Sequence, residues 1–124
     1  MILKEFGYSK EEKLKQKKEI SLLFEKGKWQ TCGNLRIIFL KENLAENLQF
    51  GVSVSKRFYK KAVDRNRIKR LLREAFRLNK TEFKDTFGDN SSAMLFYISP
   101  VKPKHFEEIE SNFLKLCELK KKKV

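Results

Sequence analysis

Residues 56–80 hold eleven lysines and arginines against two acids, Asp64 and Glu74. Five residues of that stretch, Asn66, Lys69, Arg70, Arg73 and Arg77, recur at helical spacing. At about 100° per residue they share one side of a helix. A row of guanidinium groups makes and breaks no bonds. Its planar forks match phosphate oxygens in a way that a lysine ammonium does not, so the chemistry on offer is the binding of a polyanion. The competing reading is an ordinary solvated helix face. A helix optimised for stability would intersperse glutamates for i,i+4 pairs, whereas Glu74 is the only acid after Asp64 in this run.

Groups that could transfer protons or hold a metal are scarce. A histidine-pair nuclease needs two bases, and the chain has one histidine, His105. Glu107, Glu108 and Glu110 read as the solvated first turn of a helix, where they complement its dipole, rather than as a two-metal site. No nucleophile–base motif and no glycine-rich phosphate loop is present. Cys32 and Cys117 do not form a metal-ligand pattern and are expected as free thiols in a cytoplasmic protein.

The 124 residues suit a single domain with a modest core. Of the formal net charge of +13, residues 56–80 supply +9, residues 1–30 supply +3, residues 81–124 supply +1, and residues 31–55 are neutral. The excess is thus a localised footprint. No apolar run is long enough to span a membrane, and MILKEFGYSKEEK lacks the apolar core of a signal peptide, so neither membrane nor export is expected. Residues 1–12 and 119–124, the latter with the Lys120–Lys123 run, are expected to be weakly ordered.

The elements that must position the basic row follow from periodicity. Ile68, Leu71, Leu72, Ala75 and Phe76 give Ala62–Leu78 an apolar stripe opposite its cations, with Asp64 in the first turn. Residues 14–26 read as a helix with Ile20, Leu23 and Phe24 on one face, ended by Gly27 as a left-handed cap. Trp29–Asn34 reads as a loop or a further short strand. Leu35–Lys41 and Leu48–Ser55 read as strands, and the short polar loop between them favours an antiparallel pair. In the second, Leu48, Phe50, Val52 and Val54 face one way; Gln49, Gly51, Ser53 and Ser55 face the other. That small-residue face is open to two readings, a solvated strand side or a place where another backbone or a ligand comes close. Lys80–Ser92 reads as a polar segment whose Phe83 and Phe87 tuck onto the core. Ala93–Ser99 is a buried strand, parallel to 48–55, and 104–119 is a final helix. The order predicts a two-layer α/β (α+β) sandwich.

These residues resemble a known family. Arg65-Asn66-Arg67-Ile68-Lys69-Arg70, continuing as Leu71-Leu72-Arg73-Glu74-Ala75-Phe76, is similar to the RNR signature of the bacterial ribonuclease P protein component. Phe50-Gly51-Val52-Ser53-Val54-Ser55-Lys56-Arg57 resembles the strand that leads into it, and Leu14 to Gly27 resembles the family's first helix. The resemblance implies a four-stranded mixed sheet in α-β-β-β-α-β-α order, ribosomal-protein-S5-domain-2-like, with a left-handed β-α-β crossover where most are right-handed. It also implies partnership with a large catalytic RNA and with precursor tRNA, whose 5′ leader the holoenzyme removes. The RNA performs the hydrolysis with bound Mg2+, and no stable protein partner is implied. By position, Lys56, Arg57, Arg65, Asn66, Arg67, Lys69, Arg70 and Arg73 would contact the RNA. Ile20, Phe24 and Phe39 would be candidates for a leader cleft between the first helix and the sheet, although an isolated phenylalanine more often serves a core. Lys60-Lys61 stands where many members have Gly-Asn, which removes a capping side chain at the helix start. A structural RNA-binding protein of ribosomal type is the second reading, and a protein enzyme acting on nucleic acid the third.

Overall fold

The computed structural model describes residues 12–45 and 47–122. In chain order these form α1 (Lys17–Lys26), β1 (Lys28–Cys32), β2 (Leu35–Leu40), β3 (Gln49–Val54), α2 (Ala62–Leu78), α3 (Lys80–Phe87), β4 (Ser92–Tyr97) and α4 (Phe106–Lys122). The short strand expected near Trp29 is β1. Of the terminal segments expected to be weakly ordered, residues 1–11 and 123–124 lie outside the described residues. Glu12 is fastened by an ion pair with Lys80 (2.7 Å), and the backbone is helical as far as Lys122.

The four strands lie in the order β1-β2-β4-β3. β3 and β4 are parallel, as expected, with Phe50 opposite Ala93 and Val52 opposite Leu95. The expected antiparallel pairing of β2 with β3 does not occur. β4 lies between them, antiparallel to β2. Its sequence SAMLFY is apolar on both faces, and a strand with two faces to bury takes a central place. A second correction concerns Lys80–Phe87, which is a helix. Phe83 and Phe87, four residues apart, are both fully buried, and Gly88 ends the helix at φ 98°. Gly27 is a third. Its φ is −71°, not left-handed. Glycine is required there by space, since a Cβ would lie 2.3 Å from the Leu23 carbonyl oxygen and 2.8 Å from Ile38.

Helices α2, α3 and α4 cover one face of the sheet over a core rich in phenylalanine. Phe50 and Phe76 stack with centroids 4.0 Å apart, and Phe83 meets both edge-on at 5.6 and 5.4 Å. Such contacts add about 1 kcal/mol each to what burial contributes. Helix α1 lies on part of the opposite face, where Leu14, Leu23 and Ile38 form a smaller cluster with Ile20, Leu40, Met94 and Phe96. The two-layer body is therefore closed on one side and partly open on the other. Leu14 is not helical. It lies in an extended strap whose N–H donates to the Phe50 carbonyl (3.0 Å), beside a parallel bridge from Lys13 to Phe50. Gly51 makes this approach possible, for its Cβ position is 3.3 Å from Leu14 Cβ. The strap's backbone thus pairs with the edge of β3, and the Leu14 side chain lies against Gly51 on the small-residue face.

Candidate nucleic-acid interface

The burial of Ile68, Leu72, Ala75 and Phe76 fixes the roll of α2 and turns its cations outward. Asn66, Arg67, Arg70 and Arg73 are exposed, and Lys69 is half-buried beside them. Among the described residues no carboxylate pairs with Arg67, Lys69, Arg70 or Arg73. Arg77 differs: it is paired with Glu74, which holds that carboxyl below the usual range chiefly through their hydrogen bond. Asp64 pairs with Lys102 at 3.2 Å.

Arg65 is engaged by its own chain. Its guanidinium donates to the carbonyl oxygens of Tyr59 and Lys60, both at 2.8 Å. Lys61, the residue that caps α2, offers no side-chain hydrogen bond to the helix. Arg65 therefore fixes the loop that a capping side chain would otherwise tie to the helix. Lys56 and Arg57 are exposed on that loop, and the Arg57 N–H donates to Ser55 Oγ (3.0 Å).

The open sheet face carries a second constellation. Phe24, near the end of α1, meets Trp29 of β1 (6.0 Å) and Phe96 of β4 (6.3 Å), and Trp29 and Phe96 are 5.5 Å apart. The Arg36 guanidinium lies 4.2 Å over the Trp29 ring. Phe24 and Trp29 are nonetheless 44% and 43% exposed, so they present ring surface to solvent. Ile20 is half-buried in the cluster beneath α1. Phe39 is displaced from its expected position. It belongs to the main core and meets Phe87 at 4.8 Å, on the far side of the sheet from α1. Strand alternation places Arg36, Ile38 and Leu40 on the α1 side instead, a shift of one residue. Trp29, Arg36 and Phe96 escape sequence reasoning because their grouping depends on how β1, β2 and β4 pair. The signal that could have found them is the alternation of Trp29 with buried Gln30, once β1 is accepted as a strand.

At the β3 border, where the strap passes Arg73 of α2, lies a cleft of about 340 Å³, lined by Lys13, Leu14, Lys15, Gly51, Val52, Arg73 and Met94. Arg73 belongs both to the basic row and to this cleft, and the cleft's Gly51 and Met94 lie on the same sheet face as Phe96 and Trp29. Basic side chains beside stackable rings are the parts from which single-strand grooves are made. Among the described residues no three of His, Cys, Asp and Glu gather as metal ligands, and His105 is exposed just before α4.

The ribonuclease P family pattern matches residues 8–121. A ribonuclease P protein component of Porphyromonas gingivalis is 43% identical over 86 residues, covering 68% of this chain and 63% of that relative's length. The chain thus spans somewhat under two thirds of this relative. One from Dictyoglomus thermophilum is 31% identical over 116 residues, 91% of each chain. Among solved structures, the RNase P protein of Thermotoga maritima superposes with a TM-score of 0.71 at 23% identity, covering 87% of this chain and 96% of that one. That of Staphylococcus aureus gives 0.71 at 21% identity, covering 87% and 94%.

Proposed function

This chain belongs to the ribonuclease P family, and from that membership we propose that it is the protein subunit of a cytoplasmic ribonucleoprotein that removes the 5′ leader of precursor tRNA. In this reading α2 and the loop before it hold the catalytic RNA. Lys56, Arg57, Arg67, Lys69, Arg70 and Arg73 meet phosphates, with Asn66 among them, and Arg65 holds the loop in position. Structured RNA is recognised through backbone and 2′-hydroxyls, which suits a rigid row of arginines better than a base-reading surface. The leader lies on the open sheet face, where Phe24, Trp29 and Phe96 offer stacking without sequence preference, worth about 1–3 kcal/mol per base. Ile20 supports that face from below. Hydrolysis belongs to the RNA with its bound Mg2+. The protein contributes electrostatics and grip.

One observation carries the reading: the basic row on α2 has no carboxylate partner at Arg67, Lys69, Arg70 or Arg73 among the described residues, and Arg73 lines a cleft with Gly51 and Met94 at the β3 end of the sheet face on which Phe24, Trp29 and Phe96 gather. A ribosomal-type RNA-binding protein would need the row but not the exposed rings. Reconstitution tests the proposal. Protein alone at moderate salt should leave precursor tRNA intact, and adding the catalytic RNA from the same source should give cleavage at the mature 5′ end. Cleavage by the purified protein unaided would refute the division of labour. Crosslinks from a photoreactive leader to the Phe24 region would separate this role from the ribosomal one.

A further inference from the structure

The turn at residues 55–61, between β3 and α2, is held from both ends. The Tyr59 N–H donates to the Ser55 carbonyl (3.1 Å) and the Arg57 N–H to Ser55 Oγ (3.0 Å). Tyr59 is buried and its hydroxyl donates to the Ser99 carbonyl, while the Arg65 guanidinium spans the carbonyls of Tyr59 and Lys60. With Tyr59 turned inward, Phe58 is turned out, and 42% of its surface meets solvent. It belongs to neither hydrophobic cluster of the fold. Lys56, Arg57, Lys60 and Lys61 stand exposed on either side of it in the chain, and among the described residues no carboxylate pairs with them.

Packing within the fold therefore does not account for a phenylalanine here. The backbone on both sides of the ring is already fixed, so little ordering entropy is left for a partner to supply. The surrounding cations decide which partner fits. An apolar pocket on another protein would have to bring acids to neutralise them, whereas a nucleotide carries a flat base and its phosphates in one unit. The turn runs directly into α2, the helix assigned above to the catalytic RNA. Inside a double helix both faces of a base are covered by its neighbours, so the ring can stack only on a base outside pairing, at a bulge, a loop or a strand end. We propose that Phe58 stacks on an unpaired base of the catalytic RNA while the cations flanking it hold that nucleotide's phosphates. The inference rests on the family role proposed above. To the phosphate contacts of α2 it adds one contact to a base, which fixes where along the RNA the helix is seated.

The test measures affinity of the full chain for its catalytic RNA across a salt series. Phe58→Ala should lower it about tenfold at each salt, within the range for one stacked base, and leave the slope of log affinity against log salt unchanged, since a neutral ring displaces no counterion. Phe58→Trp should retain the affinity, and Phe58→Leu, apolar but without a π face, should lose most of it. The side chain is exposed, so these variants should fold as the wild type does, which their denaturant midpoints check. In the assembled holoenzyme, a photoreactive phenylalanine analogue in place of Phe58 should crosslink to an unpaired nucleotide of the catalytic RNA. An abasic nucleotide there should weaken binding of the wild type but not further weaken that of Phe58→Ala. Three results overturn the proposal: Phe58→Ala affinity within about twofold of wild type, Phe58→Leu binding as well as Phe58→Trp, or crosslinks confined to paired RNA or to precursor tRNA. In each, cleavage by the wild-type holoenzyme persists and the family role stands. If the wild-type protein does not bind the catalytic RNA, the family role fails and this inference with it.

Discussion

Arg65, Arg70, Arg73 and Arg77 carry the same charge on the same helix, but they are not equally available. Arg65 spends its guanidinium on two loop carbonyls and Arg77 on Glu74, whereas Arg70 and Arg73 have no carboxylate partner among the described residues. Counterion release distinguishes these cases. Arg70→Ala and Arg73→Ala should each weaken RNA affinity and flatten the slope of log affinity against log salt by up to about one unit. Arg77→Ala should change the slope less, because its charge is already countered. Arg65→Ala should act through the loop, with a loss of affinity out of proportion to any slope change. Filter binding across a salt series measures all four, and an unchanged slope for both Arg70→Ala and Arg73→Ala would exclude direct phosphate contact by these side chains.

At the scale of elements, Gly27 joins α1 to β1 in a space closed by the Leu23 carbonyl and Ile38. Gly27→Ala should therefore cost about 2–3 kcal/mol, read from the denaturant midpoint, because backbone must move to admit one methyl. The same element shows where sequence is informative. Helix α2 was legible because its apolar stripe and its cations have the same period, and the parallel β3–β4 pair followed from a helix between two strands. Helix α3 was not, since a polar octapeptide with two phenylalanines has too little period to separate a helix from a loop. The pairing of β2 with β4 was hidden because sequence proximity favours a hairpin, while the demand of β4 for two buried faces acts only once the whole sheet forms. The candidate site divides in the same way. Its basic half lies on one element and was read directly. Its aromatic half is assembled from α1, β1 and β4, and there Phe39 proved a core residue while Trp29 and Phe96 took the open face.

Over the whole molecule, two buried tyrosines latch the segment after β4. Tyr59 donates to the Ser99 carbonyl (2.8 Å) and Tyr97 to the Val101 carbonyl (2.6 Å). Burial is the main cause that raises both phenols above their ordinary value of 10.0. The neutral form is favoured in the fold, so this stabilisation is complete below the ordinary value and is lost as pH rises through the raised one. Denaturant titrations should show no pH dependence from these groups at neutral pH and a fall in stability above about pH 10, shallower in Tyr59→Phe. The β3 edge of the sheet is guarded by backbone pairing. As the last strand of the sheet, β3 would offer unpaired amides to any extended chain nearby. The strap occupies that border through Lys13 and Leu14, and Glu12 is anchored to Lys80 on α3. That pairing takes part of the β3 border out of reach of strand-to-strand aggregation between copies of the chain.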